Sequence, residues 1–302
     1  MGKFKKIEEA ILTPVRVKKN GHPGSLIGGL YDKDKNFIDD STFFRDGKRF
    51  VYPLSLDGRI ISSQIDCPVI FGGYLYNHFG HFLLESLSRL HVCDIFPDYP
   101  IVWIKEREMK SWHRDLMSVI NIKNDQIFVS EISQAMEIIV PDCGFSIGKF
   151  FKGYHQEFLG KYENNVRRGT KLWLSRSFLS NGLGGVDNEP EIEYYLKDKG
   201  WTIFHSQLHS IDEQIDALSS AERIAGFEGS AFHLLILIKN VAARVDIFTR
   251  GNIINNNFNL IADAKGFDQR VHFLEMEKIS GERSHSRYRL NDVASVIQML
   301  DR

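Results

Sequence analysis

The sequence predicts an α/β protein made of two open sheets in tandem, and three features predict it. Short, continuously apolar runs such as Ile101-Val102-Trp103-Ile104 and Leu172-Trp173-Leu174 have the composition of strands buried on both faces. Segments with helical spacing lie between such runs, so strand and helix alternate as in βαβ units, which build parallel sheets with right-handed crossovers. A polar helical segment at about 152–168 separates two series of this kind. It sets a boundary that divides the chain into 1–160 and 161–302, with the last helix, near 290–301, left open to pack back on the first unit.

Residues 1 to about 70 read as short strands and turns. Leu30-Tyr31-Asp32-Lys33-Asp34-Lys35-Asn36-Phe37-Ile38 is strand, polar turn, strand. Its Asp32-x-Asp34 pair has the form that holds a divalent cation in some sugar transferases, but no other carboxylate or histidine converges on it and the turn reading is preferred. The pattern changes at Gly72-Gly73-Tyr74-Leu75-Tyr76-Asn77-His78-Phe79-Gly80-His81, which runs into a helix whose Leu83, Leu87 and Leu90 form a buried stripe. On that helix His81, Glu85 and Arg89 are spaced four apart and share a face. A solvated ion pair has the same spacing.

The first series continues with the strand at 101–104, a helix from about Glu106 to Ile120, and strands at 126–129 and 137–140. In the second series strands are expected at 171–175, 201–204, 223–226, 244–248 and 271–274. Helices are expected at 189–199, 211–220, 230–240 and 256–265. Ser210 followed by Glu213 is a helix start. The glycine-rich stretch 180–188 reads as a mobile loop at the carboxyl end of the strand at 171–175, the edge at which open α/β sheets hold ligands.

Lys and Arg number 38 against 39 Asp and Glu, so the chain lacks the positive excess of a dedicated nucleic-acid binder, and no nucleic-acid partner is expected. Cys67, Cys93 and Cys143 are odd in number, with no metal-ligand spacing, and read as reduced thiols of a cytoplasmic protein. The basic N-terminus lacks the apolar run of a secretory signal. The longest apolar run, Leu234-Leu235-Ile236-Leu237-Ile238, is far short of a membrane span.

Chemistry is expected at three places. Glu85 and His81 offer a base. Gly226-Phe227-Glu228-Gly229-Ser230-Ala231-Phe232-His233 follows a strand and opens a helix, where free N–H groups attract a phosphate. It is neither a Gly-x-Gly-x-x-Gly fingerprint nor a Walker loop, so dinucleotide dehydrogenases and nucleotide hydrolases lose support. Arg176, at the end of the Leu172-Trp173-Leu174-Ser175 strand, suits a diphosphate through bidentate contacts. Glu193 suits ribose hydroxyls or simply the positive end of a helix. The late basic cluster Arg283, His285, Arg287 and Arg289 suits phosphate, a membrane surface or solvent.

Taken in order, Asn77 with His81 and Glu85, then Leu172-Trp173-Leu174-Ser175-Arg176, then Glu193 with Leu196 and Gly200, then Asp212-Glu213-Gln214-Ile215, then Gly226 with Gly229-Ser230-Ala231, resemble glycosyltransferase family 61 over about 70–274, as a bacterial-type member. The resemblance implies two Rossmann-like domains facing a cleft, the B-type glycosyltransferase architecture, with an acceptor-side first domain and a donor-binding second domain. It implies inverting, metal-independent transfer of a sugar from a nucleotide-sugar donor, UDP-linked, to a glycan acceptor, with no obligatory cofactor. Glu85, with His81, matches the acceptor-activating base; Arg176 matches the donor-phosphate arginine; Gly229, Ser230 and Ala231 match the nucleotide-binding turn. Where many members carry His before that Gly, this chain has Glu228, with His233 one turn on, which points Glu228 toward a ribose or sugar hydroxyl, or away. Asn77 and Glu193 complete the expected donor-site set. The absence of a signal places the reading in bacterial surface-polysaccharide or capsule synthesis, in the cytoplasm, with contact at the inner face of the membrane or with polysaccharide-assembly partners left open. The alternatives are a zinc hydrolase using His78, His81 and Glu85, and a non-catalytic nucleotide-sugar binder.

Overall fold

A computed structural model describes residues 2–20, 22–105, 109–180, 183–282 and 286–301. The start of the expected helix at Glu106, Asn181 and Gly182 of the glycine-rich stretch, and Arg283 and His285 of the basic cluster lie outside them. The chain divides into two compact units, Met1–Leu159 and Gly160–Arg302.

The first unit contains β1 (Phe4–Val17), β2 (Leu26–Tyr31), β3 (Phe44–Arg45), β4 (Lys48–Arg49), β5 (Val51–Tyr52), β6 (Ser63–Leu75), α1 (Phe79–Leu84), β7 (Ile101–Lys105), α2 (Ser111–Val119), β8 (Gln126–Val129), β9 (Ser133–Pro141), β10 (Phe145–Ser146), β11 (Phe150–Phe151) and α3 (Gly153–Leu159). Seven strands form one sheet in the order β5-β2-β1-β9-β6-β7-β8. β9, β6, β7 and β8 run parallel, whereas β1 is antiparallel to both β2 and β9. The sheet is therefore mixed rather than wholly parallel, and β1 and β6 are long where short strands were expected. Lys5, Lys6, Glu8 and Glu9 interrupt the apolar periodicity of β1, which hides its length from a pattern reading. Ile101, Val102, Trp103 and Ile104 are completely buried, as their continuous apolar run demands of an inner parallel strand. The Asp32 turn forms as expected: Asp32 Oδ1 accepts from the N–H of Asp34 and Asn36, which closes the tip on itself.

The second unit contains β12 (Lys171–Leu174), β13 (Gly185–Val186), α4 (Glu189–Asp198), β14 (Trp201–Phe204), α5 (Ile211–Ser220), β15 (Arg223–Phe227), β16 (Arg244–Phe248), α6 (Asn256–Lys265), β17 (Gln269–His272), β18 (Met276–Ser280), β19 (Arg287–Leu290) and α7 (Val293–Leu300). Its main sheet has the order β14-β12-β15-β16-β17, parallel throughout. Counted along the chain this is 2-1-3-4-5, the order of doubly wound sheets, whose switch point falls between the first and third strands. α5 starts on the expected capping box, with Glu213 N–H donating to Ser210 Oγ and Ser210 N–H to Glu213 Oε2.

Three expectations change here. The helix expected at 152–168 is confined to α3. The segment expected as a helix over 230–240 is a 3-10 helix, Ser230–Leu237. Leu234 to Leu237 are buried on every side, so no polar face fixes a 3.6-residue period and packing sets the pitch. Of the stretch read as a mobile loop, 185–188 is anchored: β13 pairs with β19, and the Asn188 amide bonds both the N–H and the carbonyl of Leu290. Within the second unit α7 buries Val296 and Leu300 with Ile192 and Leu196 of α4.

Candidate active site

In the first unit the loop of Tyr76, Asn77 and His78 leaves the carboxyl end of β6, the edge where parallel strands present ligand-binding loops. It is fixed from beneath. His113 bonds the Tyr76 carbonyl at 2.9 Å, and Ser86 Oγ donates to the Tyr74 carbonyl and accepts from the Tyr76 N–H. The exposed His78 caps α1 through Nδ1, which accepts the His81 N–H at 3.4 Å. Asn77 is half-buried, and its Oδ1 is sequestered with no hydrogen-bond partner among the described residues.

The helical stripe expected to join His81, Glu85 and Arg89 breaks at its middle. α1 ends at Leu84, Glu85 is its C-cap, and Ser86–Val92 continues as a 3-10 helix. Four residues advance by about 40° net in an α-helix but by about 120° in a 3-10 helix, so Arg89 is carried off the shared face. It is buried and donates to the carbonyls of Pro141 and Thr42. Arg45 supplies the missing cation. It is presented by the β3–β4 hairpin, whose Asp46-Gly47 turn has positive φ at both residues (48° and 78°), the type I′ geometry that suits Asp-Gly.

Arg45 grips Glu85 with two parallel bonds, Nε to Oε1 and Nη2 to Oε2, both 2.8 Å. His81 Nδ1 lies 2.6 Å from Glu85 Oε2. Burial works to raise the Glu85 carboxyl, but the hydrogen bonds of His81 and Arg45 outweigh it and hold the group below its ordinary range. Glu85 is thus a buried carboxylate, held in its charged form at neutral pH, with both oxygens engaged. In the neutral tautomer that donates Nδ1–H to this carboxylate the His81 lone pair lies on Nε2, and the side chain is 33% exposed. A cavity of about 290 Å³ opens among residues flanking Arg45, lined by Phe43, Phe44, Ser146, Lys149 and Phe150.

In the second unit the expected anion site falls at the switch point between β12 and β15. Gly229 is extended (φ −177°), a conformation open to any residue, so its reason is room: a Cβ there would sit 2.3 Å from Arg176 Nη1. Arg176 is tied down by Nη2 bonding the Leu183 carbonyl at 2.9 Å, while its Nε is sequestered with no partner among the described residues. Burial and then the neighbouring Arg250 push the Arg176 guanidinium down to about 10. Two cations converging in a partly desolvated corner favour an anion. Gly229 gives the 3-10 helix at Ser230 no side-chain cap, so the first N–H groups, Ser230 and Ala231, lack intrahelical acceptors. Ser230, Ala231 and His233 are half-buried, and His233 packs against Phe258.

Glu228 faces this cluster: its Oε1 accepts the Arg250 N–H at 3.1 Å and lies 3.9 Å from Arg250 Nε. It positions Arg250. Glu193 is buried one turn into α4, where Oε1 accepts from Ser175 Oγ at 2.6 Å. Of the late basic cluster, Arg287 pairs with Asp187 and Arg289 lies 3.8 Å from Glu191.

Three residues escape a sequence reading. Arg45 is signalled only by its Asp-Gly hairpin. Arg250 follows β16 as Arg176 follows β12, and the same reasoning at that strand end finds it. Glu189 is completely buried; its Oε1 accepts from Trp173 Nε1 and the Arg176 N–H, and burial raises its carboxyl to about 7.

The zinc-hydrolase alternative finds no support: Glu85 is committed to Arg45 and His81, and the described residues contain no group of three His, Cys, Asp or Glu that could hold a metal ion. No described helix is long and apolar enough to cross a membrane. The family model described as Glycosyltransferase 61 matches residues 79–244, just over half of the 302 residues, a span that includes His81, Glu85, Arg176 and Gly229 but neither Arg45 nor Arg250. No curated protein matches the chain.

Proposed function

This chain belongs to glycosyltransferase family 61 and is a glycosyltransferase, and on that premise we propose that it carries out inverting, metal-independent transfer from a nucleotide-sugar, UDP-linked, to a glycan acceptor. The observation that carries the donor half is the approach of Arg176 to the Cβ-free Gly229 at the β12/β15 switch point, with Arg250 beside it. Charge growing on the departing diphosphate would be taken by the two guanidinium groups and by the Ser230 and Ala231 amides.

In this proposal His81, rather than Glu85, is the base. Glu85, held by Arg45, positions His81 through Nδ1, and His81 Nε2 removes the acceptor hydroxyl's proton. The oxygen attacks the anomeric carbon from the face opposite the diphosphate, the bond to the diphosphate breaks, and configuration inverts. The cavity beside Arg45, with aromatic walls and a lysine, is where the acceptor glycan is held in this reading. The B-type architecture and a role in cytoplasmic synthesis of capsule or another surface polysaccharide go with the proposal.

The test is a panel of nucleotide sugars offered with acceptor glycans, read as released nucleoside diphosphate, alongside thermal shifts with UDP, GDP and CMP. Release from one donor with stabilisation by its nucleotide is expected. No release from any donor and no shift with any nucleotide overturns the reading.

A further inference from the structure

Beside the anion site stands an aromatic pair with no part in the chemistry described so far. Phe178 follows Arg176 by two residues on the loop leaving β12. Its ring lies parallel to that of His205, with centroids 4.0 Å apart and planes 5° apart. His205 directly follows β14, the strand on the other side of β12 from β15, and its carbonyl accepts the Leu208 N–H at 2.9 Å. One face of the Phe178 ring is covered by His205, yet the residue remains 65% exposed. Isolated exposed apolar side chains are common. This one differs in being held flat by a stacked partner at the sheet edge that carries the anion site.

Three stations therefore follow one another along that edge. His205, which backs the Phe178 ring, is at the end of β14, Ser175 with Glu193 is at the end of β12, and Gly229 with Ser230 is at the end of β15. Neighbouring strands are about 4.8 Å apart, so the stations are spaced at roughly that interval. A nucleoside diphosphate laid out along the edge presents base, ribose and diphosphate in the same order. We propose that Phe178, backed by His205, is the surface on which the nucleobase of the donor stacks, with Ser175 and Glu193 at the ribose and the Arg176–Gly229 corner at the diphosphate. This rests on the donor-binding reading above and adds the position of the base. An aromatic face accepts any base, so it supplies affinity for a nucleotide over bare diphosphate rather than a choice among bases.

Calorimetric titration of the full chain with UDP, GDP, CMP and inorganic pyrophosphate tests it. The wild-type chain is expected to bind its best nucleotide at least 10-fold tighter than pyrophosphate. Phe178→Ala is expected to remove about 10-fold of nucleotide affinity and leave pyrophosphate binding unchanged, while Phe178→Trp retains nucleotide affinity. Equal nucleotide affinity in wild type and Phe178→Ala overturns the inference but leaves the donor site standing, and so does a loss confined to the acceptor's KM, which would assign the ring to the glycan. Failure of the wild-type chain to bind any nucleotide or pyrophosphate overturns the donor reading and this inference with it. Phe178 is a surface residue, so melting temperatures of both variants should match wild type, and Phe178→Trp supplies an independent readout through quenching of its fluorescence by the bound base.

Discussion

Replacing Arg45 by Met separates the charge in the first-unit cluster from its packing. The side chains of Arg45 and Glu85 are 16% and 5% exposed, so the substitution strips a desolvated carboxylate of two bonds of 2.8 Å. Breaking a buried pair from one side costs about 3–5 kcal/mol. Arg45 also lies over the rings of Phe43, Phe50 and Tyr76 at 4.9, 4.8 and 5.3 Å, contacts that a methionine sulfur largely replaces. Protonation of Glu85 relieves part of the loss, which leaves about 3 kcal/mol at pH 7. The sign with pH follows from the direction of the shift. In the wild type the Glu85 carboxyl is held below its ordinary 4.5, so its contribution is present above that pH and is lost as pH falls through the lower folded value. In the variant burial is offset by His81 alone and the carboxyl rises relative to the wild type, so the variant loses most at high pH and the loss shrinks on acidification. Urea unfolding of both proteins from pH 7 to pH 3.5, followed by tryptophan fluorescence, should show a gap that is widest at pH 7 and closes below about pH 4.5. A gap that stays constant over that range would mean that packing, not charge, is what the substitution removed; a gap under about 1 kcal/mol at pH 7 would mean that the ion pair contributes nothing.

Glu189→Gln keeps the oxygen that accepts from Trp173 and Arg176 but can never ionise. The wild-type carboxyl, raised from 4.5 to about 7, has its full stability below pH 4.5 and loses it as pH rises through 7, so the variant should be the more stable protein at pH 8 by about 3 kcal/mol and equal to it at about pH 4, by urea midpoint. Gly229→Ala drives a methyl into Arg176 Nη1, so affinity for pyrophosphate and for UDP should fall at least 10-fold in calorimetry, with little change in melting temperature because φ at 229 is open to alanine. His81→Gln should lower turnover by about 10²–10⁴-fold while the dissociation constant for the donor nucleotide stays the same; unchanged turnover would remove His81 from the base role.

The strands and most helices of the second unit were legible because a parallel sheet writes itself into sequence: Leu172, Trp173 and Leu174 are apolar in succession since both faces of β12 are covered, and Ser210 with Glu213 marks the first turn of α5 through backbone capping that needs no distant partner. Arg176 and the Gly229 turn were legible for a related reason, since position at the carboxyl end of a strand is a property of chain order. By contrast, the pitch change at Glu85, the capture of Arg89 by the carbonyls of Thr42 and Pro141, and the arrival of Arg45 from a hairpin 40 residues earlier were decided by tertiary packing alone. Helical periodicity assumes one pitch and sees only neighbours three or four residues away. A buried carboxylate is satisfied by whichever cation the fold delivers, and for Glu85 that cation came from another part of the sheet's surroundings. The sequence thus determined which residue types could do the chemistry and at which sheet edges. The fold determined which carboxylate is held by a cation and a histidine and which cation that is, because desolvation and hydrogen bonding act through space and not along the chain.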